Sequence, residues 1–440
     1  MSSTTDSDDL AHDEGAPPRP TSEAFTRCSH PKVRPVMEEI DANADINLIV
    51  GAPKCTAHDC DNEAQNIRKD RICFRVNSAI LGRASPALGF TFYSPREEVF
   101  PPEDDPTGWT AHLPDDDPEA MRTIIHILYG RYPLPPQDTY MDLDALLNLT
   151  VLAEKYDLVH LFQPWSVQWM RDMEPYWLDR SFMEESTEDL ESLLWIYWVL
   201  GHEPMYAYTV LQITMHCGQD IDWDLKDPTD HLAFTQGSRV APQTPCAKLD
   251  VCTVRNKLFK VIMENIKQTL GDHLCGKPRQ DGVRCRRSDH VDDGGWRRSV
   301  YRSLEILLLE EMIWPVPPAI AVLASPREMV ETFRAHPNIP AFAHRGSAPF
   351  CEPVGPFWEW IEGQIQTATF HLRVPDAGYL SRQAAKSGLA SYLASKRTRH
   401  RPDKGHWNLI EVLQFMEDIV KSECTAARNH HTGYDIARMS

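Results

Sequence analysis

Residues Cys73 to Pro86 constrain the fold more than any other part of this 440-residue chain. Ile72, Phe74 and Val76 alternate along the sequence, which is the pattern of a strand with one buried face. The strand runs directly into a small helix. A second helix begins at Ser85-Pro86, because serine caps a helix N-terminus and proline fits its first turn. The run therefore predicts a compact α+β module.

The flanking sequence completes this module. Asp45 to Val50 predicts a strand that ends at Gly51, and Gly108 to Leu113 predicts a third strand. Asp117-Pro118-Glu119 marks the start of a helix, because aspartate is a good cap and a glutamate in the first turn suits the helix dipole. Apolar residues at helical spacing predict three helices: one from Pro118 that is ended by Gly130 and Pro133, one that carries Leu143, Leu146, Leu147 and Val151, and one from Val159 to Met170.

The second half of the chain has helical patterns. Leu190, Leu193, Leu194 and Tyr197 form one apolar stripe, which Gly201 ends. The aromatic stretch Leu193 to Leu200 is interpreted as a buried core helix in preference to the wall of a ligand pocket. Further helices are predicted over Met205–His216, Leu258–Leu270, Val300–Leu308, Trp358–Phe370 and Leu409–Val420. The predicted regions are a disordered tail (1–35), the α+β module (36–172), a helical region (173–424) with loops at 220–250 and 276–295, and a flexible tail (425–440).

Composition excludes several classes of protein. The formal net charge of −19 argues against a nucleic-acid-binding protein, because phosphate binding needs concentrated Lys and Arg. No apolar run approaches the ~20 residues that cross a membrane, and the polar N-terminus is not a secretory signal. Eleven scattered cysteines fit a reducing compartment. We therefore predict an intracellular protein of the cytoplasm or nucleus.

Two cysteine–histidine clusters are candidates for zinc, which needs four well-placed ligands. His273, Cys275, Cys285 and His290 could close one site, but their pairs lack the C-x2-C spacing, so free thiols in a mobile loop are favoured. The second candidate cluster contains Cys55, His58 and Cys60, with Cys73 as a fourth ligand. We interpret the first three as part of a solvated loop and Cys73 as a buried strand residue. No nucleophile elbow, P-loop, dinucleotide fingerprint or H-E-x-x-H motif is present. We predict no catalytic residue, no cofactor and no enzymatic activity.

Three stretches together resemble the BTB/POZ family, a fold used for protein–protein contact. They are Asp45 to Val50, Phe74 to Pro86, and Leu113-Pro114-Asp115-Asp116-Asp117-Pro118 through Leu128-Tyr129-Gly130 with Leu152-Ala153-Glu154-Lys155-Tyr156-Asp157 after it. The resemblance covers about 125 residues, Asp45 to Met170, and is greatest to the BTB proteins of filamentous fungi, whose C-terminal halves are helical. It implies that the helical region is similar to a BACK-like extension.

The resemblance implies a homodimeric adaptor or scaffold for an unknown substrate protein. It also implies recruitment of a cullin-3 ubiquitin ligase through the helix Pro118–Tyr129 and the loop Gly130–Pro136. The interaction residues that it suggests are Asp45, Phe74, Ile80, Leu81, Tyr129 and Tyr132. Related transcription factors pair the aspartate with a basic residue to bind co-repressors, but this chain has Asn77 and Ser78 there. The alternative function is a ligand-binding protein, metal-binding protein or enzyme with its site in the helical half.

Overall fold

In the part of the chain that the structure describes, the protein is α+β, with a four-stranded sheet and a larger number of helices. A computed structural model describes residues 35–51, 71–93, 109–131, 141–173, 187–219, 225–226, 247–275, 324–335 and 374–397. It also describes residue 322 and the short pieces 305–306, 308–309, 363, 365, 370–371 and 406–407. Within these residues, no helix combines the length and the apolar character needed to cross a membrane.

The central sheet contains the three predicted strands and one more at its edge. Its strands are β1 (Val36–Glu39), β2 (Ile46–Val50), β3 (Ile72–Val76) and β4 (Trp109–Leu113), in the order β1-β3-β2-β4. Strand β2 pairs with β3 in antiparallel and with β4 in parallel orientation, so Leu48 lies between Phe74 and Ala111. Strand β1, which was not predicted, runs parallel to β3.

Five α-helices belong to the same module in the described residues. They are α1 (Ser78–Ala84), α2 (Pro86–Tyr93), α3 (Pro118–Leu128), α4 (Leu143–Lys155) and α5 (Ser166–Met173). The predicted start of α3 is confirmed, because the Asp117 carboxylate accepts a hydrogen bond from the Ala120 amide at 2.8 Å. Met121, Ile124 and Ile125 are the fully buried stripe of this helix.

The prediction of one continuous helix from Val159 to Met170 is wrong. Val159–Phe162 forms a 3-10 helix, a turn follows, and α5 begins only at Ser166. Pro164 lies in that turn, and proline has no N–H with which to continue a helix. Trp165 and Trp169 nevertheless stack, with 6.3 Å between ring centroids.

The helical half is built on a buried hairpin of α6 (Thr187–Leu200) and α7 (Glu203–His216). Residues 190–200 and 204–217 are all buried, which confirms the core interpretation of the aromatic stretch. Gly201 ends α6 as predicted, with φ of +79°, and its amide donates to the Tyr197 carbonyl at 2.9 Å. The hairpin is therefore the centre of this half and is surrounded by other helices.

The surrounding helices are α8 (Ala247–Cys275), α9 (Pro326–Ala335), α10 (Val374–Ser387) and α11 (Leu389–Arg397). Two small sheets accompany them. In one, β5 (Gly218–Gln219) pairs with β6 (Leu225–Lys226), and in the other, β7 (Phe370–His371) pairs with β8 (His406–Trp407). Helix α8 is longer at both ends than predicted, so 247–250 is helix and not loop. Leu225–Lys226 is also strand within the predicted loop, and Phe370 is strand where helix was predicted.

The side chain of Arg255 joins three segments of the helical half. It is 1% exposed, and its Nε donates to the Cys217 carbonyl at 3.2 Å. Its Nη2 donates to the carbonyls of Val322 at 2.5 Å and Ala324 at 2.9 Å. The guanidinium also lies over the Phe259 ring, 4.7 Å from its centroid. One side chain thus fixes the end of α7 and the entry to α9 on α8.

Helix α10 packs directly on the N-terminal module, far from it in sequence. The Glu154 carboxylate accepts hydrogen bonds from the Tyr379 hydroxyl at 2.7 Å and from the Gln383 amide at 3.1 Å. The Ser166 hydroxyl donates to the Ser387 carbonyl at 2.6 Å. One cluster of buried apolar residues accordingly extends from Ile40 to Leu393.

Several predictions fall outside the described residues. They concern residues 1–34, the loop 276–295, the helix 409–420 and the tail 425–440, together with most of the helices predicted over 300–308 and 358–370.

Candidate interaction surface

The outer face of α2 exposes two aromatic side chains. Phe90 is 66% and Tyr93 is 55% exposed, whereas Leu88 and Phe92 on the inner face are buried. The helix sequence, PALGFTFY, contains no charged residue. Two neighbouring exposed aromatic rings on an uncharged helix are typical of a surface that binds another protein.

The position of α2 is fixed by its first turn and by its crossing with α1. The Ser85 hydroxyl accepts from the Leu88 amide at 3.0 Å and donates to the Tyr156 carbonyl at 2.7 Å. Gly82 and Gly89 meet where the helices cross, and a Cβ at Gly89 would lie 3.2 Å from the Gly82 carbonyl oxygen. Only small residues permit this approach, so the aromatic face is held on a rigid helix pair.

A chain of hydrogen bonds connects this face to the sheet. The Asp45 carboxylate accepts from the Ser78 amide at 2.6 Å and from its hydroxyl at 2.7 Å. Because the Ser78 hydroxyl donates its one hydrogen to Asp45, it accepts from the Tyr93 hydroxyl, 2.7 Å away. Both donors to Asp45 thus belong to Ser78, and both are neutral.

Tyr129 extends the same polar region. Its hydroxyl accepts from the Asn77 amide at 2.7 Å, and the Asn77 side chain caps α1 by accepting from the Ala79 amide at 3.0 Å. Burial raises the pKa of Tyr129, the hydrogen bond from Asn77 opposes this, and the Asp41 and Asp45 carboxylates raise the pKa further. The phenol is therefore a neutral hydrogen-bonding group.

The structure separates the residues suggested by the family resemblance. Asp45 is exposed and Tyr129 and Ile80 are half-buried, so these three reach the surface around α1 and α2. Phe74 and Leu81 are fully buried, which gives them a part in supporting the surface from beneath. Tyr132 lies outside the described residues.

Sequence reasoning missed Phe90 and Tyr93. Their spacing of three residues on an uncharged helix was a visible signal. That spacing alone does not distinguish a face covered by another element from an exposed one.

The outer side of α3 is partly engaged by β1. The Glu38 carboxylate accepts from Arg122 Nε at 2.9 Å and lies 3.5 Å from His126 Nε2. Arg122 also pairs with Glu119, and Arg131 donates to the Ile40 carbonyl. These contacts anchor the edge strand to the helix.

The zinc candidates do not form a site in the described part of the chain. No group of three or more His, Cys, Asp or Glu side chains there is arranged to hold a metal. His273 and Cys275 lie in the last turn of α8, and Cys285 and His290 lie outside the described residues. Cys73 is buried in β3, and burial raises the pKa of its thiol. Cys55, His58 and Cys60 also lie outside the described residues.

Comparison with known proteins gives no relative from which a function could be carried over. No protein-family model matches the sequence, and no curated protein or solved structure is significantly similar to it.

Proposed function

We propose that this protein is an adaptor or scaffold that self-associates through a BTB/POZ-like module at residues 36–172. The observation that carries the proposal is the exposed, uncharged aromatic face of α2, formed by Phe90 and Tyr93. Removing a large apolar side chain from water is favourable, so a partner that buries these rings would form a more stable complex. A second copy of the chain offers the same face, and such self-complementary contacts are the commonest way to form a dimer.

The order of the elements gives further support. An antiparallel strand pair is followed by two short helices, a strand parallel to the first of the pair, and two longer helices. This is the order along the chain of the stretches that resemble the BTB/POZ family. Asp45 and Tyr129 would contribute polar contacts at the edge of the interface, close to Tyr93.

The Phe90→Asp variant tests the dimer directly. Burying one Phe stabilises an interface by about 1.5–3 kcal/mol, and a symmetric dimer buries two, so a charge at both positions should weaken association about 100-fold or more. Phe90 is exposed in the monomer, so the fold should be retained. Light scattering at micromolar concentrations should give a dimer for the unchanged chain and a monomer for the variant.

A matched control is Leu249→Asp, because Leu249 is also exposed, at 52%, on another helix. This variant should remain dimeric. A monomeric unchanged chain would contradict the proposal as a whole. A Phe90→Asp variant that stays dimeric would exclude the α2 face as the interface.

Recruitment of cullin-3 is a second part of the proposal. The α3 surface suggested by the resemblance carries Thr123 on its outer side and Glu38 bound to Arg122 at its border. Cullin-3 should be retained by the immobilised full chain, lost with Thr123→Arg, and retained with Phe90→Asp. Failure of the unchanged chain to retain cullin-3 would remove this part and leave the dimer untouched.

A further inference from the structure

A buried polar group in the helical half lies between α7 and α9. His216 Nδ1 is 3.4 Å from Nη1 of Arg327. Arginine only donates hydrogen bonds, so Nδ1 is the acceptor and Nε2 carries the ring hydrogen when the ring is neutral. Burial lowers the pKa of His216, the Arg327 charge lowers it further, and Glu331 acts in the opposite direction. The Nε2–H of a neutral ring is therefore a donor in a fixed position.

Gln212 lies one helical turn before His216 and on the same face of α7. Gln212 is fully buried and His216 is 7% exposed. In the part of the chain that the structure describes, three atoms of these two side chains have no hydrogen-bond partner. They are the amide nitrogen and the amide oxygen of Gln212 and Nε2 of His216. Three buried polar atoms on one helix face thus lack partners.

Such atoms are rare, because burying a polar group without a hydrogen bond costs free energy. A partner for these three must supply an acceptor for His216 Nε2–H, an acceptor for the Gln212 amide nitrogen, and a donor for its amide oxygen. A carboxamide or lactam edge carries an acceptor and a donor side by side. It is therefore the complement of a glutamine side chain.

The charges beside this group favour a neutral ligand. Arg327 and Glu331 form an ion pair, with Nε 2.8 Å from Oε1, so they leave little net field. The side chains of both are partly exposed, at 31% and 50%, so the ion pair lies on the solvent-facing side of the buried group. An anion placed beside Gln212 would lose its hydration without gaining an unpaired cation.

We propose that the seam between α7 and α9, defined by Gln212, His216 and Arg327, binds a small neutral molecule through its amide edge. This site is separate from the α2 face and does not depend on self-association. Ligand sites commonly combine an apolar surrounding with a few convergent polar groups. The buried α6–α7 hairpin gives Gln212 and His216 such a surrounding.

The proposal is tested with nicotinamide and nicotinate on the full chain, because the two differ only in the amide and the carboxylate. Saturation-transfer NMR should show contact with nicotinamide, and nicotinamide should raise the midpoint of thermal unfolding. Nicotinate should bind about tenfold more weakly or not at all, because its charge is costly to bury. Equal binding of the two, or no contact with nicotinamide, would overturn the proposal.

The matched variants are Gln212→Met and Gln268→Met, the second at an exposed position of α8. The first should abolish the stabilisation by nicotinamide, and the second should leave it unchanged. If Gln212→Met does not fold, the two probes on the unchanged chain still decide the matter. A lower unfolding midpoint in Gln212→Met, without discrimination between the probes by the unchanged chain, would assign the seam to ordered water and overturn the proposal.

Discussion

Replacement of Gly201 by alanine is expected to destabilise the protein by about 2–4 kcal/mol, because two separate costs fall on one added methyl group. Gly201 has φ of +79°, in the left-handed region that L side chains rarely adopt. A Cβ there would also overlap the Ala384 amide nitrogen and the Leu380 carbonyl oxygen, and it would lie 2.7 Å from the Ala384 Cα. These atoms belong to the backbone of α10 and cannot rotate away.

Gly130→Ala is the matched control, because Gly130 has φ of +59° but no atom within 4 Å of the added Cβ. It should show the conformational cost alone, about 1–2 kcal/mol. Urea unfolding gives both values. Equal losses for the two glycines would show that α10 does not contact the α6–α7 turn as described.

The consequence of Gly201→Ala should also be local. Because α10 must move away from the turn, the Tyr379 and Gln383 hydrogen bonds to Glu154 should weaken. Amide hydrogen exchange should then rise in residues 374–387 while that of β2 and β3 is unchanged. Such a pattern would establish that the close approach of Gly201 to α10 is needed for the contacts of α10 with Glu154.

The sequence predicted those elements whose ends are set by local chemistry. Asp117 caps α3 through its own side chain, and Gly201 ends α6 through its own backbone conformation. Neither depends on distant residues, so each could be read directly. The prediction for Val159 to Met170 was wrong because the apolar spacing was weighed above Pro164, which interrupts the hydrogen bonding of the helix.

Elements stabilised by distant parts of the chain could not be predicted in this way. Strand β1 has no alternating pattern and is stabilised by its pairing with β3. The paired residues Glu39 and Arg75 are 36 positions apart in the sequence. Helix α10 has few apolar residues, and its polar side chains contact Glu154 more than two hundred residues earlier.

Both candidate sites also depend on contacts between distant parts of the chain, which sequence spacing does not show. The spacing of Phe90 and Tyr93 was visible, but whether another element covers them is a tertiary property.

Replacement of Arg255 by methionine is the other strongly destabilising change that we expect. It should lower the free energy of unfolding by about 3–5 kcal/mol. Methionine fills much of the same space over Phe259 but donates no hydrogen bond. It would leave the carbonyls of the buried residues Cys217 and Val322, and that of the exposed Ala324, without their donor from α8. Burial lowers the pKa of Arg255, but a guanidinium stays charged in proteins, so the wild-type contacts are charge-assisted at neutral pH.

Arg255→Lys and Arg382→Met separate the causes. Lysine keeps the charge but lacks the planar fork that reaches separate carbonyls, so it should recover only part of the loss. Arg382 is exposed on α10, and its replacement should cost about 0–1 kcal/mol. Urea unfolding should rank Arg255→Met as the most destabilised variant, Arg255→Lys as intermediate, and Arg382→Met as close to the unchanged chain.

Hydrogen exchange gives the more specific outcome for Arg255→Met. The carbonyls of Val322 and Ala324 directly precede α9, whose first turn is closed by reciprocal hydrogen bonds between Ser325 and Glu328. When Arg255 no longer fixes this entry, α9 should open before the rest of the protein, so exchange in 326–335 should rise most. Uniform exchange throughout the described helices would mean that Arg255 stabilises the core as a whole. It would not then be the residue that attaches α9 to α7 and α8.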